Sequence, residues 1–317
     1  MEVYIKMKKK ILITPKSFFS ARDKAEEIFS KYQLEIVENN TGKTLTKQQM
    51  IELCSDVDGV IVGIDPMDED VLMSARKLKA ISKYGVGLDN IDLKVAEKLG
   101  IKVSIAKGAN TRSVAELAVG LFFAISRNIP KETYIVKEGK WDRTIGVELL
   151  DKTVGIIGFG AIGREVAKMA KGLGMNILAY DPYFNDVELA KALNVQIADM
   201  EEILEKADFV TLHLPLNEET NRLINREALS KMKKTAYLIN TSRGELVDED
   251  ALYDALKNGT IAGAAQDVFS QEPPCKDNKL LSLDNFILTP HIGAFTREAT
   301  ERMVITSAKN LMEMLFE

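Results

Sequence analysis

Two histidines are the whole supply of imidazole in these 317 residues, and their settings are alike. His213 stands in Leu212-His-Leu-Pro215 and His291 in Thr289-Pro-His-Ile-Gly-Ala294. Each follows a short apolar run that reads as a strand. Proton transfer near neutral pH suits an imidazole, because its ordinary pKa lies close to the working pH. The proline before His291 and the glycine two residues after it mark a fixed loop. Two further runs end in charge. Leu238-Ile-Asn-Thr-Ser-Arg243-Gly244 sets a guanidinium just past one predicted strand, and Ala265-Gln-Asp267-Val-Phe-Ser-Gln-Glu272-Pro273 sets two carboxylates past the next. A guanidinium can grip a carboxylate with two hydrogen bonds and polarise a neighbouring carbonyl. A carboxylate beside an imidazole orients the ring and raises its pKa. This set can anchor an organic acid and move a proton to or from it.

A second group of residues points to a cofactor. Val154-Gly-Ile-Ile-Gly158-Phe-Gly160-Ala-Ile-Gly163 holds the G-x-G-x-x-G pattern between a predicted strand and a predicted helix. Gly158 permits the tight turn, Gly160 lets backbone approach a pyrophosphate, and Gly163 lets the helix pack on the strand. The helix start offers amides and partial positive charge to phosphates. The pattern alone is weak evidence; its strand–turn–helix setting makes it specific. Asp181 follows about 20 residues later, where a carboxylate accepts hydrogen bonds from ribose hydroxyls and repels the extra phosphate of NADP. No arginine follows it. The cofactor implied is NAD, and reduction of a ketone by hydride leaves an oxygen that needs the proton a histidine supplies.

These residues need a scaffold of parallel strands. β-branched runs alternate with amphipathic stretches, which argues for an α/β chain with crossover helices. Strands are predicted at 11–14, 34–37, 59–62, 80–83 and 103–105. A second series lies at 154–157, 176–180, 209–212, 236–240, 264–267 and 287–289, a six-stranded dinucleotide-binding sheet. Helices are predicted at 21–31, 68–75 and 296–316. A long apolar helix opens after Asn110, with Ser113 and Glu116 in the spacing of a capping box. Asp89 and Asp92 are read as caps of the helix from Leu93, and Trp141 as a packing residue.

Bulk properties exclude several classes. A length of 317 residues with 46% hydrophobic content suits two domains. The net charge of −5 gives no basic face for nucleic acid. Lys8-Lys9-Lys10 reads as a solvated flank before the first strand. Cys54 and Cys275 have no metal-ligand spacing, so neither a disulfide framework nor a zinc site is expected. The segment around 114–126 is shorter than the roughly 20 residues of a membrane span. No apolar leader is visible at the N-terminus, where Met7 is an alternative start to Met1. A cytoplasmic protein is expected.

The combination of the glycine fingerprint, Asn240-Thr-Ser-Arg-Gly244, Asp267-Val-Phe-Ser-Gln-Glu-Pro273, Pro290-His-Ile-Gly-Ala294 and Lys83-Tyr-Gly-Val-Gly-Leu-Asp-Asn-Ile-Asp92 resembles the D-isomer-specific 2-hydroxyacid dehydrogenases. It is most similar to their D-3-phosphoglycerate dehydrogenase branch. The resemblance implies two doubly wound parallel-sheet domains. A Rossmann NAD-binding domain spans 108–290. A discontinuous, flavodoxin-like substrate domain is built from 1–107 and 291–317, with the active site between the two. It implies His291 as general acid/base, Glu272 as its partner, and Arg243 as the anchor of the substrate carboxylate and carbonyl. Gly85, Val86 and Gly87 would offer amides to that carboxylate. Ala161 and Ile162 would lie over the pyrophosphate, and Asp267 would bind the nicotinamide carboxamide. His213, Leu214, Thr241, Gly293 and Ala294 would line the cofactor. A homodimer joined through the NAD domain is also implied.

The sequence departs from the branch in one place. Phosphoglycerate dehydrogenases carry an arginine after the third strand, but this chain has Gly63-Ile-Asp65, with an added negative charge. Glyoxylate, hydroxypyruvate or a branched 2-keto acid are therefore favoured, while Lys83 and Tyr84 remain able to recruit a second anion. Glu272 argues against a formate dehydrogenase, which pairs its histidine with glutamine. Val86 argues against a phosphite dehydrogenase, which has lysine there. The alternative from another class is an NAD sensor or corepressor-like protein without turnover.

Overall fold

The computed structural model describes residues 8–317; the choice between Met1 and Met7 lies outside them. The chain divides into two compact units. One runs to Asn110 and resumes as Ala294–Glu317; the other is Thr111–Gly293.

The first unit carries a five-stranded parallel sheet: β1 (Lys9–Ile13), β2 (Leu34–Glu38), β3 (Gly59–Val62), β4 (Ala80–Lys83) and β5 (Lys102–Ile105), ordered β2-β1-β3-β4-β5. This is the flavodoxin-like order. β3 and β4 are buried throughout, as strands covered on both faces must be. Lys9 and Lys10 lie inside β1 and not ahead of it, and they pair with acids at the sheet's edge, Lys9 with Asp58 and Lys10 with Glu35 and Asp56. The closing helix Arg297–Phe316 packs Met303, Val304, Ala308 and Leu311 into the core of this unit.

The second unit holds a seven-stranded parallel sheet: β6 (Thr153–Ile157), β7 (Asn176–Tyr180), β8 (Gln196–Ile197), β9 (Phe209–Leu212), β10 (Tyr237–Asn240), β11 (Gly263–Gln266) and β12 (Phe286–Leu288). Its order is β12-β11-β10-β9-β6-β7-β8, the dinucleotide-binding arrangement with one strand added beyond it. The strand that the sequence reading lacked is β8. It is two residues long and exposed, and so carries no hydrophobic periodicity to detect.

The helix Thr111–Ser126 buries Val114, Ala115, Ala118, Leu121, Phe122 and Ile125. Its start differs from the expected capping box. The helix begins two residues before Ser113, so Ser113 lies within it, and Glu116 pairs with Arg112. Asp92 does cap the helix Leu93–Lys98, its side chain accepting from the Val95 amide, but Asp89 is not that cap. Trp141 is not a packing residue: it is 79% exposed, on a stretch that also exposes Tyr134 and Ile145.

Candidate active site

Register gathers the candidate residues of the second unit along one edge of its sheet. Tyr180, Ile157, Leu212, Asn240, Gln266 and Leu288 face one another as a continuous row across six strands. The residues one step further are Asp181, Gly158, His213, Thr241, Asp267 and Thr289. Six parallel strands ending in one row thus bring together groups far apart in sequence, at the carboxyl ends where open α/β sheets bind ligands.

The glycine turn is built as the fingerprint requires. A Cβ on Gly158, whose φ is +96°, would lie 2.5 Å from the His213 carbonyl oxygen, so the β6 turn packs directly on the end of β9. A Cβ on Gly163 would lie 2.2 Å from the Gly158 carbonyl oxygen. Gly160, by contrast, faces open space. It caps the helix Ala161–Gly172 with no side chain over the helix start, which leaves that end to an anion. Ala161 is exposed and Ile162 half-buried there. Asp181 is held against this turn: one carboxylate oxygen accepts from the Phe159 amide and the other from the Tyr183 amide, both at 2.9 Å. Beside the turn, the Nδ1 of His213 and the hydroxyl of Thr241 are buried with no partner in the protein. Buried polar atoms demand partners, and two of them next to an open glycine cradle suit a dinucleotide.

His213 donates or accepts at Nε2 with the Thr211 hydroxyl, at 3.0 Å. Although the residue keeps some exposed surface, its Nδ1 is buried with no carboxylate beside it. Burial therefore pushes its pKa down to about 3.

His291 is set differently. Its Nδ1 lies 2.7 Å from a Glu272 carboxylate oxygen, and its side chain is 45% exposed. The hydrogen bond to Glu272 is the main cause that raises its pKa. Burial opposes the rise, while the charges of Glu272 and Asp267 add to it and Arg243 subtracts. Partial burial works to raise the Glu272 pKa, but the His291 hydrogen bond and charge, the Phe269 amide and Arg243 together hold it low. Arg243 reaches the pair electrostatically because the backbone beside it is pressed onto the 269–270 loop. A Cβ on Gly244 would lie 1.9 Å from the Phe269 carbonyl carbon, so only glycine fits. The Arg243 side chain donates to the Ser242 carbonyl at 2.7 Å, and its own carbonyl accepts from Asn240 at 2.8 Å.

The backbone of His291 has φ +54°, a left-handed conformation that costs a non-glycine residue on the order of 1–2 kcal/mol. Asp267, 1% exposed, holds it there. The Asp267 carbonyl accepts from the His291 amide at 2.9 Å. Its carboxylate accepts from the Thr289 hydroxyl at 2.5 Å and from the Ile292 and Gly293 amides at 2.8 Å each. These bonds tie His291, Ile292 and Gly293 to the second unit, whose boundary falls after Gly293 instead of before His291 as expected from the sequence. Ser113 and Thr289, which the sequence reading did not place in the site, touch this loop. The spacing from Ser113 to Glu116 pointed to a helix cap instead, and Thr289 passed as a strand end.

In the first unit, Gly85 has φ +131° and lies two residues past the end of β4; its amide already donates to the Lys83 carbonyl at 3.1 Å. Val86 and Gly87 are partly exposed, and Ala294 is half-buried. Two expectations change here. The Asp65 carboxylate is 3% exposed and turned inward, accepting from the Leu45 amide at 2.8 Å and from the Thr14 hydroxyl, so it presents no outward charge. The Lys83 ammonium is likewise engaged, with the Gly63 carbonyl and Asn90, both at 2.5 Å. Among the described residues there is no cluster that could hold a metal ion.

Comparison with known proteins agrees with this geometry. Residues 119–293 match the family model described as D-isomer specific 2-hydroxyacid dehydrogenase, NAD binding domain. A D-3-phosphoglycerate dehydrogenase of Methanocaldococcus jannaschii is 45% identical over 96% of this chain, which spans 57% of that protein. A hydroxypyruvate reductase of Thermotoga maritima is 42% identical over 93% of this chain and 94% of its own length. Among solved structures, a D-lactate dehydrogenase of Aquifex aeolicus complexed with NAD and lactic acid is similar with a TM-score of 0.82. It is 30% identical and covers 94% of this chain and 93% of its own.

Proposed function

Because the chain belongs to the D-isomer-specific 2-hydroxyacid dehydrogenases, an NAD-dependent family of oxidoreductases, we propose that it interconverts a small, unphosphorylated 2-keto acid and its D-2-hydroxy acid. The observation that carries this reading is the pairing of His291 with Glu272 at 2.7 Å within electrostatic reach of Arg243. Bound NADH supplies a hydride to C2 of the keto acid. The other events belong to side chains of this protein. Arg243 holds the carboxylate and draws charge toward the carbonyl oxygen. The His291 imidazolium gives its proton to the oxygen as negative charge develops there, and Glu272 stays ionised to stabilise the imidazolium. The reverse reaction uses neutral His291 as the base. Ala161 and Ile162 would border the pyrophosphate. Asp181 would hold the ribose hydroxyls. His213, Leu214, Thr241, Gly293 and Ala294 would border the rest of the cofactor, and Asp267 would serve its carboxamide.

The substrate preference rests on Gly63-Ile-Asp65, which offers no guanidinium for a phosphate. NADH oxidation against hydroxypyruvate, glyoxylate, pyruvate, 2-ketoisocaproate and 3-phosphohydroxypyruvate tests it. Turnover should be fastest on one of the first two. A strong preference for the phosphorylated acid would reject the proposal, and absence of turnover on any would return weight to an NAD-sensing role. The segment after the helix Thr111–Ser126 exposes Ile129, Tyr134, Trp141 and Ile145. An apolar surface of this kind supports a homodimer formed through the NAD-binding unit, and sedimentation as a monomer at micromolar concentration would defeat that. Both cysteines are free thiols, and among the described residues no helix is long and apolar enough to cross a membrane. The free thiols support a cytoplasmic location.

A further inference from the structure

The loop that carries His291 is held from two directions by groups with no role in the chemistry above. From the sheet, the Thr289 hydroxyl reaches the Asp267 carboxylate at 2.5 Å, and that carboxylate in turn receives the Ile292 and Gly293 amides. From the helix Thr111–Ser126, the Ser113 hydroxyl, 4% exposed, donates to the Gly293 carbonyl at 2.6 Å. Gly293 is thus gripped at both ends of its peptide. A side chain there would be tight, its Cβ 3.2 Å from an Asp267 oxygen. His291 sits in a left-handed conformation that is uncommon for any residue with a side chain, and these bonds hold the loop in it.

We infer that Thr289 and Ser113 are positioning residues: with Asp267 they fix the backbone of residues 291–293 so that the His291 ring meets Glu272. The inference rests on the reading of His291 as the proton donor, and it deepens that reading. The physical argument concerns buried partners. Without the Thr289 hydroxyl, one Asp267 oxygen loses a charge-assisted bond that no water replaces easily. Without the Ser113 hydroxyl, the buried Gly293 carbonyl loses its side-chain donor. Either loss lets the loop relax toward ordinary φ and lengthens the contact between His291 and Glu272. Three charged groups act on the ring: Glu272, Asp267 and Arg243. Weakening the Glu272 contact leaves Arg243 with more relative weight, and the His291 pKa falls.

The chain has only two histidines, and His213 is held to about 3. Titration of histidine-labelled protein by NMR therefore follows His291 alone, without any substrate. In Thr289→Val and in Ser113→Ala the His291 pKa should fall by at least about half a unit. The kcat should drop about tenfold with KM for the keto acid within about threefold, as expected for a misplaced proton donor. Thr289→Ser keeps the hydroxyl and should restore both. An unchanged His291 pKa in folded Thr289→Val and Ser113→Ala would overturn the inference, as would failure of Thr289→Ser to restore it. A lowered pKa with undiminished turnover would leave the positioning role standing and reject the proton-donor reading instead.

Discussion

The ends of β9 and β12 each present a histidine to the same edge of one sheet, yet they make opposite use of it. His213 has one ring nitrogen against a threonine hydroxyl and the other buried without a partner in the protein, so burial favours its neutral form. His291 has a carboxylate against Nδ1 and part of its ring in solvent, so its charged form is favoured. Residue type and position at a strand end are shared. The difference comes from what each loop does next. After β9 the chain turns into Pro215 and packs on the Gly158 turn. After β12 it is caught by Asp267 and swung toward Glu272. A histidine becomes an acid or a lining residue through its partners.

The sharpest break in this comparison is removal of the imidazoles one at a time. His291→Ala should lower reduction by about 10²–10⁴-fold, the range a positioned acid provides, with NADH affinity by fluorescence titration within about twofold of the parent. Near-full turnover in that variant would end the assignment. A smaller effect separates the ring from its partner. Reduction requires protonated His291, so its rate falls as pH rises through the His291 pKa, which lies above the ordinary histidine value. Glu272→Gln removes the main cause of that elevation, and the loss should begin at lower pH, near the unperturbed value of about 6.5. In the pH profile of kcat/KM, each unit of displacement appears as about a tenfold loss on the alkaline side. A limb that stays in place would show that Glu272 does not set the pKa. The least change is expected from His213→Asn. It should raise KM for NADH by no more than about fivefold, one neutral hydrogen bond, and leave the alkaline limb where it was. A displaced limb would mean that the two histidines had been assigned the wrong way round.

Much of this was legible without coordinates because the signals were local. Gly158, Gly160 and Gly163 advertise a turn whose geometry admits nothing else, and the buried runs of β3, β4 and β9 are too apolar to be anything but covered strands. What escaped was either short or non-local. β8 has two exposed residues and no pattern. Ser113 stands 180 residues from its partner Gly293, and no spacing rule connects them. Asp65 read as an outward charge because sequence shows that a carboxylate is present and not which way it turns.

Residue identity and short-range spacing by themselves determined the alternation of strand and helix, the glycine cradle and the choice of NAD. Those depend on backbone freedom, periodicity and side-chain chemistry, all properties of a few consecutive residues. Only the tertiary structure decided which histidine has its charged form favoured, where Asp65 and Lys83 spend their charges, and that Asp267, Thr289 and Ser113 bond to the loop of His291. These depend on distances between residues brought together by six strands in register, where burial and a partner within hydrogen-bonding reach set the free energy of each proton.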